Sequence, residues 1–127
     1  MAEEKDTRKI ALGKAGEEIA ADFLKKSGYK IVEVNYRCPI GEIDIVAQDK
    51  NEVVFVEVKA RKTSALGYPE EAVGIKKQKK MSQLASWYLQ ERKLNDSCAR
   101  FDVVAILMLP SGNDIRLIRN AFDFISY

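Results

Sequence analysis

The stretch GEIDIVAQDKNEVVFVEVKAR, residues 41–61, decides the fold. Two alternating apolar runs, 41–48 and 52–61, flank a polar break at Asp49-Lys50-Asn51, which is the pattern of a β-hairpin. Successive strand side chains point to opposite faces. Glu42, Asp44 and Val46 therefore share one face, and Ile43, Ile45 and Ala47 the other. In the second strand Val53, Phe55, Glu57, Lys59 and Arg61 lie together, opposite Val54, Val56 and Val58. If Lys50-Asn51 is a two-residue loop, Asp49 pairs with Glu52. Asp44 then stands across from Glu57 and Glu42 across from Lys59, with opposed Cβ atoms about 5 Å apart. A longer loop with Asn51 in the left-handed conformation is the rival register, because Lys is a poor residue for a type I′ turn.

Two opposed carboxylates repel unless something neutralises them, and a divalent cation would do so. The competing reading is the solvated face of an ordinary antiparallel sheet. Yet the same face carries Val46, Val53 and Phe55, so it turns from apolar to ionic partway along both strands, as a covered face opening into a cleft does.

Working outward, 127 residues make one domain, 1–127, with a core large enough to need no disulfide. No apolar run approaches the roughly 20 residues of a membrane span. The N-terminal MAEEKDTRK lacks a signal-peptide core, so a cytoplasmic protein without a membrane partner is expected. There is no histidine and there are two distant cysteines, Cys38 and Cys98. A zinc site of Cys and His is therefore not expected, and any hydrolysis falls to carboxylates, lysine and metal. Both cysteines read as buried or half-buried thiols. The net charge of +2 says little about nucleic acid. The clustering of Lys59, Arg61 and Lys62, then of Lys76, Lys77, Lys79 and Lys80, reads either as a phosphate-binding surface or as a solvated face.

Upstream, residues 9–27 carry Leu12, Ile19, Ala20, Phe23 and Leu24 at helical spacing, with Gly28 as the stop. Gly16 falls on that stripe and Glu17 just beside it, so Glu17 can reach a cleft between helix and sheet or snorkel at its border. Residues 29–37 alternate as a first strand, and Pro39-Ile40-Gly41 turns into the hairpin. Downstream, KTSALGYPE, residues 62–70, is a loop. A second helix over 75–93 has a stripe of Met81, Leu84, Ala85, Tyr88 and Leu89, which extends back onto Lys77 and Gln78. Residues 100–109 read as a strand covered on both faces, 114–119 as an edge strand, and AFDFISY as packed aromatics. The order α-β-β-β-α-β-β predicts an α/β (α+β) fold, a mixed five-stranded sheet flanked by helices.

Asp44, Glu57 and Lys59 have the chemistry for phosphodiester hydrolysis. Magnesium is held by one or two carboxylates plus phosphate oxygens and water. It polarises the phosphate and acidifies a bound water, while a nearby lysine orients that water or steadies developing charge.

Asp44, followed after a hairpin by Glu57-Val58-Lys59, resembles the signature of the PD-(D/E)xK, restriction-endonuclease-like nuclease superfamily. Glu17 on an N-terminal helix matches the extra acid of its branch of archaeal Holliday junction resolvases. The whole chain is most similar to the uncharacterised bacterial YraN-type family, through GEEIAADFL, the segment Asn35 to Arg37, GEIDIVAQD, VVFVEVKAR, Lys77-Gln78 and Arg100-Phe101-Asp102. Ile43 stands where the superfamily name has proline, a common departure that removes no ligand. The resemblance implies a three-layer fold. It implies that Asp44, Glu57 and the Val58 carbonyl bind Mg²⁺ (or Mn²⁺), with Glu17 as an accessory catalytic ligand and Lys59 catalytic. It also implies that Gln78 supports the site and Lys77 approaches phosphate, with Arg61 and Lys62 completing the DNA contacts. The expected activity is a Mg-dependent DNA endonuclease, on branched or damaged DNA. The alternatives are a catalytically silent nucleic-acid-binding module of the same fold, since some relatives only bind, and a small protein-interaction domain. The sequence leaves the oligomeric state open, with a homodimer among the options.

Overall fold

The computed structural model describes residues 2–62 and 72–126, with side chains from Leu12 onward. These residues form α1 (Ala2–Lys26), β1 (Lys30–Cys38), β2 (Gly41–Asp49), β3 (Glu52–Arg61), α2 (Ile75–Glu91), β4 (Cys98–Leu109) and β5 (Gly112–Phe122). The five strands make one sheet in the order β1-β2-β3-β4-β5. All neighbours are antiparallel except β3 and β4, which run parallel because α2 carries the chain back between them. The expected mixed sheet and element order are both present.

Each helix covers one face. Ala20, Ala21 and Leu24 of α1 pack with Ile45, Ala47, Val54, Val56, Val104 and Ile106. On the other face Met81, Leu84, Ala85, Tyr88 and Leu89 of α2 pack with Tyr36, Val46, Phe55 and Phe101. Phe101 also stacks on Phe122, with ring centroids 4.5 Å apart, and meets Phe124 at the same distance, so the closing aromatics pack as expected. Residues 101–107 of β4 are buried throughout, and β5, as expected, is an edge strand, with β1 at the opposite edge.

α1 ends at Gly28, whose φ of +96° lets the Tyr29 amide reach the Leu24 carbonyl at 2.9 Å and the Gly28 amide that of Lys25 at 3.1 Å. It begins at Ala2, seven residues before the start expected from the sequence. Ala2-Glu3-Glu4-Lys5 are good helix formers without an apolar stripe to announce them. α2 ends two residues earlier than expected, because Lys93 takes φ +56° and the Leu94 amide closes on the Leu89 carbonyl at 2.7 Å. Cys38 is half-buried, but Cys98 is exposed, a correction that follows from its place as the first residue of β4, before the strand enters the core. The loop expected over 62–70 lies outside the described residues beyond Lys62. Among the described residues no helix is long and apolar enough to cross a membrane.

Candidate active site

The hairpin register is the two-residue one. Asp49 pairs with Glu52, and the ladder runs without slip to Ile45 and Val56, where it stops. Lys50 itself takes the left-handed conformation, at φ +56°. Beyond Ile45 the next opposed residues are Asp44 and Glu57. Here the Asp44 carboxylate replaces a strand carbonyl: its Oδ2 accepts the Val58 amide at 2.8 Å. The two central strands part at this point, and Asp44 closes the gap with its side chain.

The faces of β3 are as expected, with Val54 and Val56 toward α1 and Phe55 toward α2. Those of β2 need correction. Ile45 and Ala47 face α1, but Ile43 packs on the α2 side with Tyr36, so strict alternation fails at Asp44. The cause lies across the strand pair. Val34 pairs with Ile45 and Tyr36 with Ile43, which places Asn35 opposite Asp44, and Asn35 has φ +57°. A left-handed residue turns the strand over, and Asp44 is carried toward α1, into a pocket of about 240 Å³ lined also by Leu12, Gly13, Glu17, Val58 and Ala60.

Glu57 stays with the α2 side, its Oε1 3.6 Å from Lys77 Nζ. Asp44 and Glu57 nonetheless feel each other's charge. Burial, then the neighbouring Asp44, pushes the Glu57 carboxyl up to about 7 against the pull of Lys77. Burial also raises Asp44, opposed chiefly by the Val58 amide. Glu17 is raised by burial, then by Asp44 and Glu42. It approaches because Gly16 is buried against β3, where an added Cβ would lie 3.1 Å from Ala60 Cβ.

The remaining expected residues divide. Lys59 Nζ donates to the Ala72 carbonyl at 2.7 Å, and Gln78 Nε2 to that of Val73 at 2.7 Å. Gln78 thus holds the segment before α2 on which Lys59 rests. Arg61 ends β3 half-buried and Lys62 follows exposed. Glu17 lines the same pocket as Asp44, and among the described residues no three Asp, Glu, Cys or His side chains gather into a cation cage.

Sequence reasoning missed the role of a second polar cluster, at the hairpin end of the sheet. Asp102 is fully buried and accepts from Tyr29 Oη at 2.7 Å, Arg100 Nε at 3.1 Å and the Asn120 amide at 2.9 Å. Arg100 also bonds Asp49 at 2.7 Å and Glu52 at 3.1 Å. Asp49 and Glu52 beside the turn, with Arg100 and Asp102 on the covered strand, were the available signal.

Fold and site together define a three-layer α/β domain whose acidic cleft opens where the two central strands part. The chain belongs to UPF0102, described as an uncharacterised protein family, whose model matches residues 16–106 and so spans every candidate residue from Glu17 to Gln78. UPF0102 proteins of Syntrophus aciditrophicus and Desulfosudis oleivorans are 48% and 50% identical, over 92% and 87% of this chain and 92% and 89% of theirs. One from Caldicellulosiruptor saccharolyticus is 46% identical over 90% of this chain and 98% of its own. Among solved structures, Pyrococcus furiosus SfsA in complex with Ca²⁺ is a remote match, with 16% identity and a TM-score of 0.41, over 89% of this chain and 63% of that one.

Proposed function

We propose that this protein is a Mg²⁺- or Mn²⁺-dependent DNA endonuclease of the PD-(D/E)xK type. The observation that carries the reading is the half-buried Asp44–Glu57 pair at the parting of β2 and β3, with Lys77 3.6 Å from Glu57. Two carboxyls partly withdrawn from water favour protons because desolvation and their mutual repulsion outweigh the pull of Lys77, and a divalent cation would supply the remaining positive charge. The donor set fits magnesium, which needs no full protein cage. Asp44 and Glu57 would hold the ion. The Val58 carbonyl leaves its extended residue on the same side as the amide bound by Asp44, and would add an oxygen.

A bound ion would polarise the phosphate and acidify a water. Val58 fixes the Asp44 carboxylate, Lys77 draws a phosphate toward Glu57, and Glu17 adds negative charge from the α1 side. Lys59, on leaving the Ala72 carbonyl, would steady charge in the transition state. Arg61, Lys62 and Lys77 would line the DNA path.

A metal titration followed by cleavage assays on duplex, single-stranded, flap and four-way-junction DNA tests the reading. Metal-dependent cleavage of any of them, lost in Asp44→Ala and Glu57→Gln, is expected. Metal-independent cleavage, or cleavage retained in both variants, would exclude it. Binding without cleavage would favour the silent module of the same fold.

A further inference from the structure

A second pocket, of about 360 Å³, opens beside the carboxylate pair and is lined by Lys14, Glu17, Asn35, Arg37, Glu42 and Asp44. At its rim Asn35 is joined to two charged neighbours. With its amide oriented to satisfy both, Nδ2 donates to Glu42 Oε2 at 3.0 Å, and Oδ1 accepts from Arg37 Nη2 at 3.1 Å. Arg37 Nε lies 3.5 Å from the same Glu42 oxygen. The Arg37 and Glu42 side chains are 74% and 56% exposed, so this pair contributes next to nothing to stability. Asn35 meanwhile holds the left-handed φ of +57° in mid-strand, a conformation that costs a non-glycine residue free energy. The residue that turns the strand at Asp44 thus also aims an exposed guanidinium, through a contact that adds little stability. That aim makes sense as preparation for a ligand.

The ligand must be anionic and must lie beside Asp44. Arg37 and Lys14 are the cations here, and both lower the proton affinity of Glu17. They flank the carboxylate pair from the α1 and β1 side, while Lys77 flanks it from the α2 side. We propose that Asn35, Arg37 and Lys14 form a second phosphate subsite, which holds the nucleic-acid strand one side of the phosphodiester bound at Asp44 and Glu57. The proposal rests on the nucleic-acid reading above and extends it to residues that reading leaves without a role. Arg37 exchanges Glu42 for a phosphate oxygen, and Asn35 keeps the guanidinium aimed, as a positioning residue. Bidentate phosphate recognition is what arginine offers over lysine.

The test is fluorescence anisotropy with a short labelled duplex and its single strand, without divalent metal and again with Ca²⁺, across a salt series. Arg37→Gln is expected to weaken binding about tenfold, the worth of one charge-assisted hydrogen bond. It should lower the slope of log affinity against log salt by about 0.9 on duplex and 0.7 on single strand. Two variants separate a built subsite from diffuse charge, because neither changes the net charge. Arg37→Lys should lose most of the same affinity. Asn35→Gly, which suits the left-handed backbone, should keep or raise the melting temperature and still weaken binding several-fold. Glu42→Gln should strengthen binding. Parental affinity in both Arg37→Lys and Asn35→Gly, with Lys77→Ala still impaired, would overturn the subsite and leave the nucleic-acid reading standing. A parent chain that binds neither probe would overturn both.

Discussion

A carboxyl group withdrawn from water and set beside a second carboxyl holds its proton to higher pH, and the consequence for Glu57 reaches the neutral range. Its value of about 7 exceeds the unfolded 4.5, so between these the folded chain binds more protons than the unfolded one. Stability therefore falls as pH rises from about 5 to 7 in the metal-free protein. We expect the melting temperature to drop over this interval and Mg²⁺ or Mn²⁺ to restore it at pH 7.5, since a ligand bound only by the folded state stabilises it. Glu57→Gln should remove most of the pH dependence and Asp44→Ala the metal response. A flat profile in scanning fluorimetry, or a metal shift retained in Asp44→Ala, would contradict the assignment. Lys59 sits differently, on the Ala72 carbonyl and off the pair. Lys59→Ala should depress the cleavage rate while leaving metal and DNA affinity near parental, as for a group used mainly in the transition state. Equal losses of rate and affinity would make it a plain phosphate contact.

Among the elements, the site depends on how closely α1 can approach β3. Gly16 permits that approach, since a Cβ there would press on Ala60 at 3.1 Å and Val58 at 3.6 Å. Gly13, one turn earlier, has nothing within 4 Å of the same position. Gly16→Val should thus cost about 1–3 kcal/mol by urea denaturation through overpacking, whereas Gly13→Ala should add about 0.5–1 kcal/mol through helix propensity. Similar effects at both glycines would mean that the packing is not the constraint. The same elements show what the sequence could disclose. Periodicity found both helix stripes, all five strands and the faces of β3, because apolar spacing responds directly to burial, but it left the hairpin register open between a two-residue and a longer loop. It failed at Ile43, where the left-handed Asn35 turns the β1–β2 pair over, since a backbone kink leaves no mark in hydropathy. For the same reason Asp44 and Glu57 were expected on one shared face, whereas the structure carries Asp44 to the α1 side and leaves Glu57 on the α2 side, by Lys77. Arg100 and Asp102 were visible as residues, but their partners Tyr29, Asp49 and Asn120 are distant in sequence.

At the scale of the molecule, the second polar cluster starts at the hairpin turn with Asp49 and Glu52 and reaches, through Asp102 opposite Val56, to within one residue of Glu57 in the ladder. Glu52 begins β3 and Glu57 is five residues further on, about 17 Å along an extended strand. The clusters respond to acid in opposite directions. At the turn Arg100 holds Asp49 below its usual range, so that this contribution is present above the unfolded value near 4 and is lost as pH falls through the lower folded one. At the site, acid relieves the repulsion between Asp44 and Glu57. Metal-free protein should therefore become more stable as pH falls from 7 toward 5, then less stable below about 4 as Asp49 gains its proton. The two limbs belong to different residues and separate by mutation. Glu57→Gln should flatten the neutral limb and spare the acid one. Asp49→Asn should flatten the acid limb at a modest cost at neutral pH, since Arg100 keeps Asp102 and Glu52 as partners. Asp102→Asn, which leaves Arg100 without its fully buried partner, should cost about 3–5 kcal/mol. In whatever fraction of that variant remains folded, Mg²⁺ should still raise the melting temperature, because Asp102, although opposite Val56 and so one residue from Glu57 in the ladder, bonds Tyr29, Arg100 and the Asn120 amide and neither carboxylate of the pair. Loss of the metal response in Asp102→Asn at temperatures where it is fully folded would mean that the two clusters are coupled through the sheet.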